Sequence, residues 1–223
     1  PTPISQLWNH LKEQLSTLSS VKIPRHVPLF VTADCQLHGF CDASERGYGC
    51  VIYLRTITQG VPIVRLLTAK SKVAPLKCVS IPRLELCGAV LLAKLIDFVK
   101  KALEGTLNFS RIFAWTDWSI VLWIRSSSSR WKVFVANRVS YIHDRVLPSW
   151  WNHVPTSDKP ADITSRGLLP EDFVSSSLSC PPIILEISRT LLASKITCWI
   201  SRHGLRSSQD RAICCTNQRA HCW

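Results

Sequence analysis

The sequence predicts an α/β fold: a mixed five-stranded sheet with helices on both faces. Two observations carry this. The elements run βββαβααβ and then a helical start, so three strands on short turns precede two strands reached through helices. Four acidic residues, Asp42, Glu85, Asp117 and Asp162, each stand in a short apolar setting at a strand end or helix start. Carboxylates near an apolar core are costly unless something pairs with them. Their grouping in this order points to a shared ligand, and a pair of divalent cations is the natural candidate.

The elements follow from local pattern. Leu7, Leu11, Leu15 and Leu18 recur near helical spacing and predict an amphipathic helix over 5–19. Val21 to Asp34, with Pro24 and Pro28, reads as an extended connector. Gln36 to Asp42, Tyr48 to Arg55 and Pro62 to Lys70 read as strands, joined by turns at Glu45-Arg46-Gly47 and Gln59-Gly60. A basic loop spans Lys72 to Ser80. Pro82 suits the first position of a helix, expected to run through Leu84, Leu91, Leu92, Leu95 and Phe98 to about Leu103, with Gly105 ending it.

Phe109 to Thr116 is apolar enough for a buried strand. Ser119 to Ile124 and Trp131 to Val146 read as helices, Trp150 to Val154 as the fifth strand, and Ala161 to Arg166 as a last helical start. After Gly167 the periodicity fades. Pro181-Pro182 breaks the chain, and Leu185 to Ile200 reads as a further amphipathic helix.

At 223 residues and 46% hydrophobic, the chain can bury a sizeable core. Nine tryptophans exclude a disordered chain. A net charge of +12 predicts a polyanionic partner, with long-range attraction to nucleic acid while the scarce carboxylates act locally. Ten scattered cysteines, with Cys41, Cys50 and Cys87 inside apolar runs, read as reduced and buried rather than as a disulfide framework. No signal peptide is visible, and no apolar run approaches the length of a membrane span. The absence of Met suggests a fragment of a longer polypeptide.

Each acidic residue also has a local reading. Asp42 suits a turn, Glu85 the first turn of a helix, where it complements the dipole, and Asp117 a helix N-cap. Asp162 suits another cap after Pro160.

A group of motifs resembles one family. They are Leu37-His38-Gly39-Phe40-Cys41-Asp42-Ala43-Ser44, Leu66-Leu67-Thr68-Ala69-Lys70-Ser71-Lys72-Val73-Ala74-Pro75 and Ser80-Ile81-Pro82-Arg83-Leu84-Glu85-Leu86-Cys87-Gly88-Ala89. Further on come Trp115-Thr116-Asp117, Phe134-Val135-Ala136-Asn137-Arg138-Val139, His153-Val154-Pro155 and Pro160-Ala161-Asp162-Ile163-Thr164-Ser165-Arg166-Gly167. Together they resemble the ribonuclease H-like domain of BEL/Pao-type retrotransposon polyproteins, over roughly residues 5–170.

The resemblance implies a ribonuclease H fold that cuts the RNA strand of RNA–DNA hybrids by a two-metal mechanism. It implies Asp42, Glu85, Asp117 and Asp162 as catalytic residues and as ligands of two Mg²⁺ ions, with Mn²⁺ as a substitute. It also implies upstream reverse-transcriptase and downstream integrase regions of the same polyprotein, no membrane, and an intracellular setting in cytoplasm or virus-like particles. The expected division is a connector over 1–34, the ribonuclease H-like domain over 35–170, and a linker with a divergent tail over 171–223. One departure bears on activity: Trp118 follows Asp117 where the family carries a small hydroxyl residue. In addition, Val121-Leu122-Trp123-Ile124 runs one residue short, which turns a helix by about 100°.

The basic residues Lys70, Lys72, Lys77, Arg83, Arg130, Lys132 and Arg138 are the expected phosphate contacts. Most tryptophans read as core. The alternative function is a catalytically inactive, nucleic-acid-binding or structural remnant. An integrase core places its Glu last of three acids, whereas Glu85 comes second here. An aspartic peptidase needs Asp-Thr/Ser-Gly, and Asp42-Ala43-Ser44 lacks the Gly. The tail's Cys198, His203, Cys214, Cys215, His221 and Cys222 do not follow a zinc spacing.

Overall fold

A computed structural model describes residues 3–22, 24, 26, 34–58, 60–155 and 159–175. The expectations for Pro181-Pro182, for the helix over Leu185–Ile200 and for the Cys/His tail fall outside these residues.

Five strands form one sheet in the order β3-β2-β1-β4-β5. β1 (Asp34–Ala43), β2 (Gly47–Thr58) and β3 (Val61–Val73) make the antiparallel meander. β4 (Phe109–Thr116) pairs parallel to β1, and β5 (Trp151–His153) parallel to β4. The expected mixed sheet is therefore present with β1 at its centre. β2 and β3 outrun their expected ends because pairing continues to Gly47–Val73 at one end and Thr58–Val61 at the other.

Alternation along β1 sorts the two faces. Leu37, Gly39 and Cys41 share a face with Ile52, Leu54, Ile112 and Ala114. The helix α2 (Ile81–Ala102) buries Leu86, Ala89, Leu92, Ala93 and Ile96 in the same cluster. It sits close enough that a side chain on Gly39 would strike Leu92 Cδ1 at 2.6 Å. α3 (Trp118–Arg125) and α4 (Val133–His143) add Ile120, Ile124, Val139 and Ile142 to this layer. On the other face lie Gln36, His38, Phe40 and Asp42, all buried. There α5 (Asp162–Arg166) covers the end of the sheet, with Thr164 packed so tightly on Gly49 that no side chain fits at that position.

The N-terminal helix α1 (Pro3–Gln14) continues as a 3-10 helix over Leu15–Ser20. Pro170–Ser175, where the sequence pattern fades, forms a further helix, α6, which packs against that 3-10 segment. No helix among the described residues is long and apolar enough to cross a membrane. Cys35, Cys41, Cys50, Cys78 and Cys87 are free thiols. Burial pushes the Cys50 thiol up to about 12 and the Cys41 thiol higher still, so both stay protonated and inert.

Candidate active site

Parallel pairing of β1 with β4 builds the site. Phe40 pairs with Trp115, and two residues further along each strand come Asp42 and Asp117. Asp42 is 7% exposed and points to the face of α5. Two glycines frame it: Gly49 is its partner on β2, and Gly88 of α2 has so little room that a Cβ there would sit 3.3 Å from the Asp42 carbonyl oxygen. Ser165 of α5 donates its hydroxyl to Asp42 Oδ2 at 2.6 Å and fixes the carboxylate's orientation.

Asp117 holds the N-cap position of α3, yet its carboxylate makes no capping bond. Asp117 thus stands at the helix start, as its local reading has it, but its carboxylate turns to Lys159 instead of capping the helix. Glu85 lies on α2. The helix starts at Ile81 and carries no acid in its first turn, so Glu85 belongs to the second turn. That corrects the first-turn expectation and removes the dipole explanation, which fades beyond the first turn.

Glu85 is half-buried, and its carboxyl is pushed up from the ordinary 4.5 to about 7. Burial is the main cause, followed by the charge of Asp117 and a hydrogen bond to it, with Asp42 adding a smaller push. Three carboxylates from three elements thus crowd one place, where Asp117 and Asp42 add to the upward push on Glu85.

One residue absent from the sequence-based set completes the site. Lys159 is buried, and its Nζ lies 3.2 Å from Asp42 Oδ1 and 2.5 Å from Asp117 Oδ1. Burial pulls its proton affinity down, but the hydrogen bonds and charges of Asp117 and Asp42 outweigh that and raise it. The ammonium stays charged. The sequence signal was slight: Lys159 opens the Lys159-Pro160-Ala161-Asp162 motif, but its partners lie 117 and 42 positions away.

Asp162 is the first residue of α5, as expected, but its carboxylate turns to Arg166 Nε at 2.6 Å and is 36% exposed. The structure thus brings Asp42, Glu85 and Asp117 together beside Lys159, while the Asp162 carboxylate is paired with Arg166 instead. As the side chains stand, no three His, Cys, Asp or Glu among the described residues are arranged to enclose a metal ion. The donors fit one in kind, because carboxylate oxygens suit magnesium and Lys159 shows that this spot holds a cation.

The departure at Trp118 is absorbed without breaking the helix. α3 starts directly after Asp117 and buries Ile120, Val121 and Ile124, while Trp118 and Leu122 turn outward. Trp118 meets the His153 ring edge-on at 6.0 Å, and Trp123 packs on Trp131 at 5.9 Å. Of the expected phosphate contacts, Lys70, Lys72, Lys77, Arg83, Arg130 and Lys132 are exposed. Arg138 is half-buried and lies over the Phe134 ring at 3.5 Å, with Arg83 over the same ring at 5.0 Å. Lys72 and Arg138 also line a cleft of about 130 Å³ with Tyr48 and Lys94.

A family model described as the Pao retrotransposon-like RNaseH-like domain matches residues 1–118. This span includes Asp42, Glu85 and Asp117 and stops short of Lys159 and Asp162. No curated protein matches the chain. Among solved structures, RNase H1 from Halobacterium salinarum is similar at 11% identity, over 63% of this chain and 99% of that one, with a TM-score of 0.34. The N-terminal RNase H domain of a Mycobacterium tuberculosis protein, solved as a maltose-binding-protein fusion, matches at 12% identity, over 65% and 99%, with a TM-score of 0.38. LC11-RNase H1 in complex with RNA/DNA hybrid matches at 11% identity, over 62% and 99%, with a TM-score of 0.36. Scores this low add nothing to the strand order and the site geometry.

Proposed function

The chain belongs to the Pao retrotransposon-like RNaseH-like domain family, and on that premise we propose that it hydrolyses the RNA strand of RNA–DNA hybrids. One observation carries the reading: a strand, a helix and a helix cap deliver Asp42, Glu85 and Asp117 to one place, where they raise the proton affinity of Glu85. The Lys159 ion pair accounts for Asp42 and Asp117 but gives no reason to set a third carboxyl, Glu85, beside them. A cation-dependent site does.

In this reading Asp42, Glu85, Asp117 and Asp162 would hold two magnesium ions, with manganese as a substitute, and Asp162 would have to leave Arg166 to do so. Such ions would supply an activated water and charge stabilisation for the leaving oxygen. The chain itself supplies position. Ser165 fixes the Asp42 carboxylate, and the Phe134 ring orients Arg83 and Arg138. Lys70, Lys72, Lys77, Arg130 and Lys132 track the phosphates of the hybrid.

We assign the domain to residues 35–170 of a polyprotein, acting intracellularly, in cytoplasm or virus-like particles, beside reverse-transcriptase and integrase regions. A second reading, hybrid binding without hydrolysis, is favoured by the buried pairing of Lys159 with Asp42 and Asp117.

A gel assay on an end-labelled RNA–DNA hybrid separates the two. Hydrolysis predicts RNA cuts that need Mg²⁺ or Mn²⁺ and vanish in Asp42→Asn. Binding alone predicts a shifted but uncut hybrid at every metal concentration. Cutting that survives EDTA or Asp42→Asn would overturn the site assignment.

A further inference from the structure

We infer that Lys159 is a built-in competitor for the divalent cation, and that the site takes up metal only when the Lys159 side chain leaves the Asp42–Asp117 pair. The inference rests on the reading of Asp42, Glu85 and Asp117 as ligands, and it adds a residue that sets their affinity.

The geometry makes the competition direct. Lys159 Nζ contacts one oxygen of Asp42 at 3.2 Å and one of Asp117 at 2.5 Å. The other Asp42 oxygen accepts from Ser165 at 2.6 Å. Both oxygens of Asp42 are therefore engaged, and the ammonium bridges the two carboxylates that end neighbouring strands. A divalent ion placed between them would meet a like charge in a poorly solvated spot, where repulsion is weakly screened. Charge and contacts both require one cation to displace the other.

Lys159 is also well held. Its side chain is 1% exposed, and Pro160 follows it directly. The Asp162 amide donates to its carbonyl at 3.3 Å, which ties the lysine backbone to the start of α5. The same short segment therefore carries the competitor and Asp162, whose carboxylate is paired with Arg166. Moving this segment would free both carboxylates from the lysine. Glu85 is held differently, by a hydrogen bond to Asp117, and feels the lysine only through its charge.

The test is direct binding of Mn²⁺ to the full chain, followed by electron paramagnetic resonance, for wild type, Lys159→Asn, Lys159→Arg and the double variant Lys159→Asn with Asp42→Asn. Lys159→Asn removes the charge while keeping a polar side chain. We expect it to bind Mn²⁺ about 100-fold more tightly than wild type, the scale of a released buried ion pair. Lys159→Arg keeps the charge and is expected to stay at the wild-type level. Adding Asp42→Asn is expected to abolish the gain, which ties the ion to this site.

Equal Mn²⁺ affinity in wild type and Lys159→Asn overturns the inference and leaves the ligand reading standing. No Mn²⁺ on either protein removes the ligand reading, and the inference with it. If Lys159→Asn does not fold, Lys159→Gln carries the same titration: tighter Mn²⁺ binding than wild type, lost on adding Asp42→Asn, is the expected result, and affinity equal to wild type overturns the inference.

Discussion

The two faces of the sheet solve opposite problems. The face under α2 is aliphatic: Leu37, Ile52, Leu54, Leu92 and Ile96 are fully buried and mutually packed. The opposite face buries polar and aromatic groups in the same strands. His38 stacks on Phe113 at 4.8 Å, Phe40 on Trp115 at 6.0 Å, and Arg55 donates to Gln36 at 3.2 Å. Asp42 ends this row. His38 Nδ1, Arg55 Nε and Trp115 Nε1 have no hydrogen-bond partner among the described residues. Leaving such groups unmade costs stability. The lesson is a division of labour: the aliphatic face fixes α2, and hence Glu85, against β1, while the polar face carries the charge.

Substitutions on the two faces should separate those roles. The largest effect is expected from Leu92→Ala, which opens a void beneath Gly39. A loss of about 4 kcal/mol is expected, with metal affinity of the remaining folded protein unchanged. Urea melts read the first and Mn²⁺ titration the second. Lys159→Met should do the reverse. It leaves Asp42 buried without its cation, a loss of about 3 kcal/mol, and Mn²⁺ should restore part of the stability by binding only the folded state. Equal responses to Mn²⁺ in the two variants would break the comparison.

The next effect is a pH dependence with two opposed sources. Glu85 holds its proton to about 7 in the fold, against an ordinary 4.5. The unfolded chain binds fewer protons between those values, so this contribution is full below about 4.5 and is lost as pH rises through about 7. His38 is the mirror case. Burial, and then Arg55, lower it from 6.5 to about 3. Its contribution is full above about 6.5 and is lost as pH falls toward 3. Between pH 5 and 6.5 the two slopes oppose. Glu85→Gln should leave stability rising with pH, and His38→Gln should leave it falling. Urea midpoints at several pH values check the signs, and parallel slopes in the two variants would show that one assignment is wrong.

The smallest effect is expected at the surface. Lys101 and Asp97 pair at 2.9 Å on α2, but the lysine side chain is 72% exposed. Lys101→Ala should change stability by no more than about 0.5 kcal/mol, in contrast to the buried pair at Lys159.

Much of this was legible in the chain, for physical reasons that differ by element. Phe109–Thr116 has the bounds that its pattern predicts because the apolar run stops at Asp117. The first three strands are longer than their pattern predicts, since their ends carry polar residues held by pairing, such as Lys72 opposite Tyr48. α6 has no signal in the sequence, because six residues are too few to show a period and they pack against the segment that follows α1. Asp42, Glu85 and Asp117 stood out because an acid in an apolar stretch is locally anomalous. Lys159 did not, because a lysine before a proline in a turn is ordinary until the fold brings strand ends to it.

The central claim is that Asp42, Glu85 and Asp117 form one cation site that cuts RNA in a hybrid, with Lys159 set against the metal. The most direct measurement is the initial rate of RNA-strand cleavage by wild type and Lys159→Asn across a Mn²⁺ series. The account predicts cleavage by both. The Lys159→Asn curve should be displaced to about 100-fold lower Mn²⁺, with neither protein active once Asp42→Asn is added. Superimposed curves, or cleavage that survives Asp42→Asn, would contradict it.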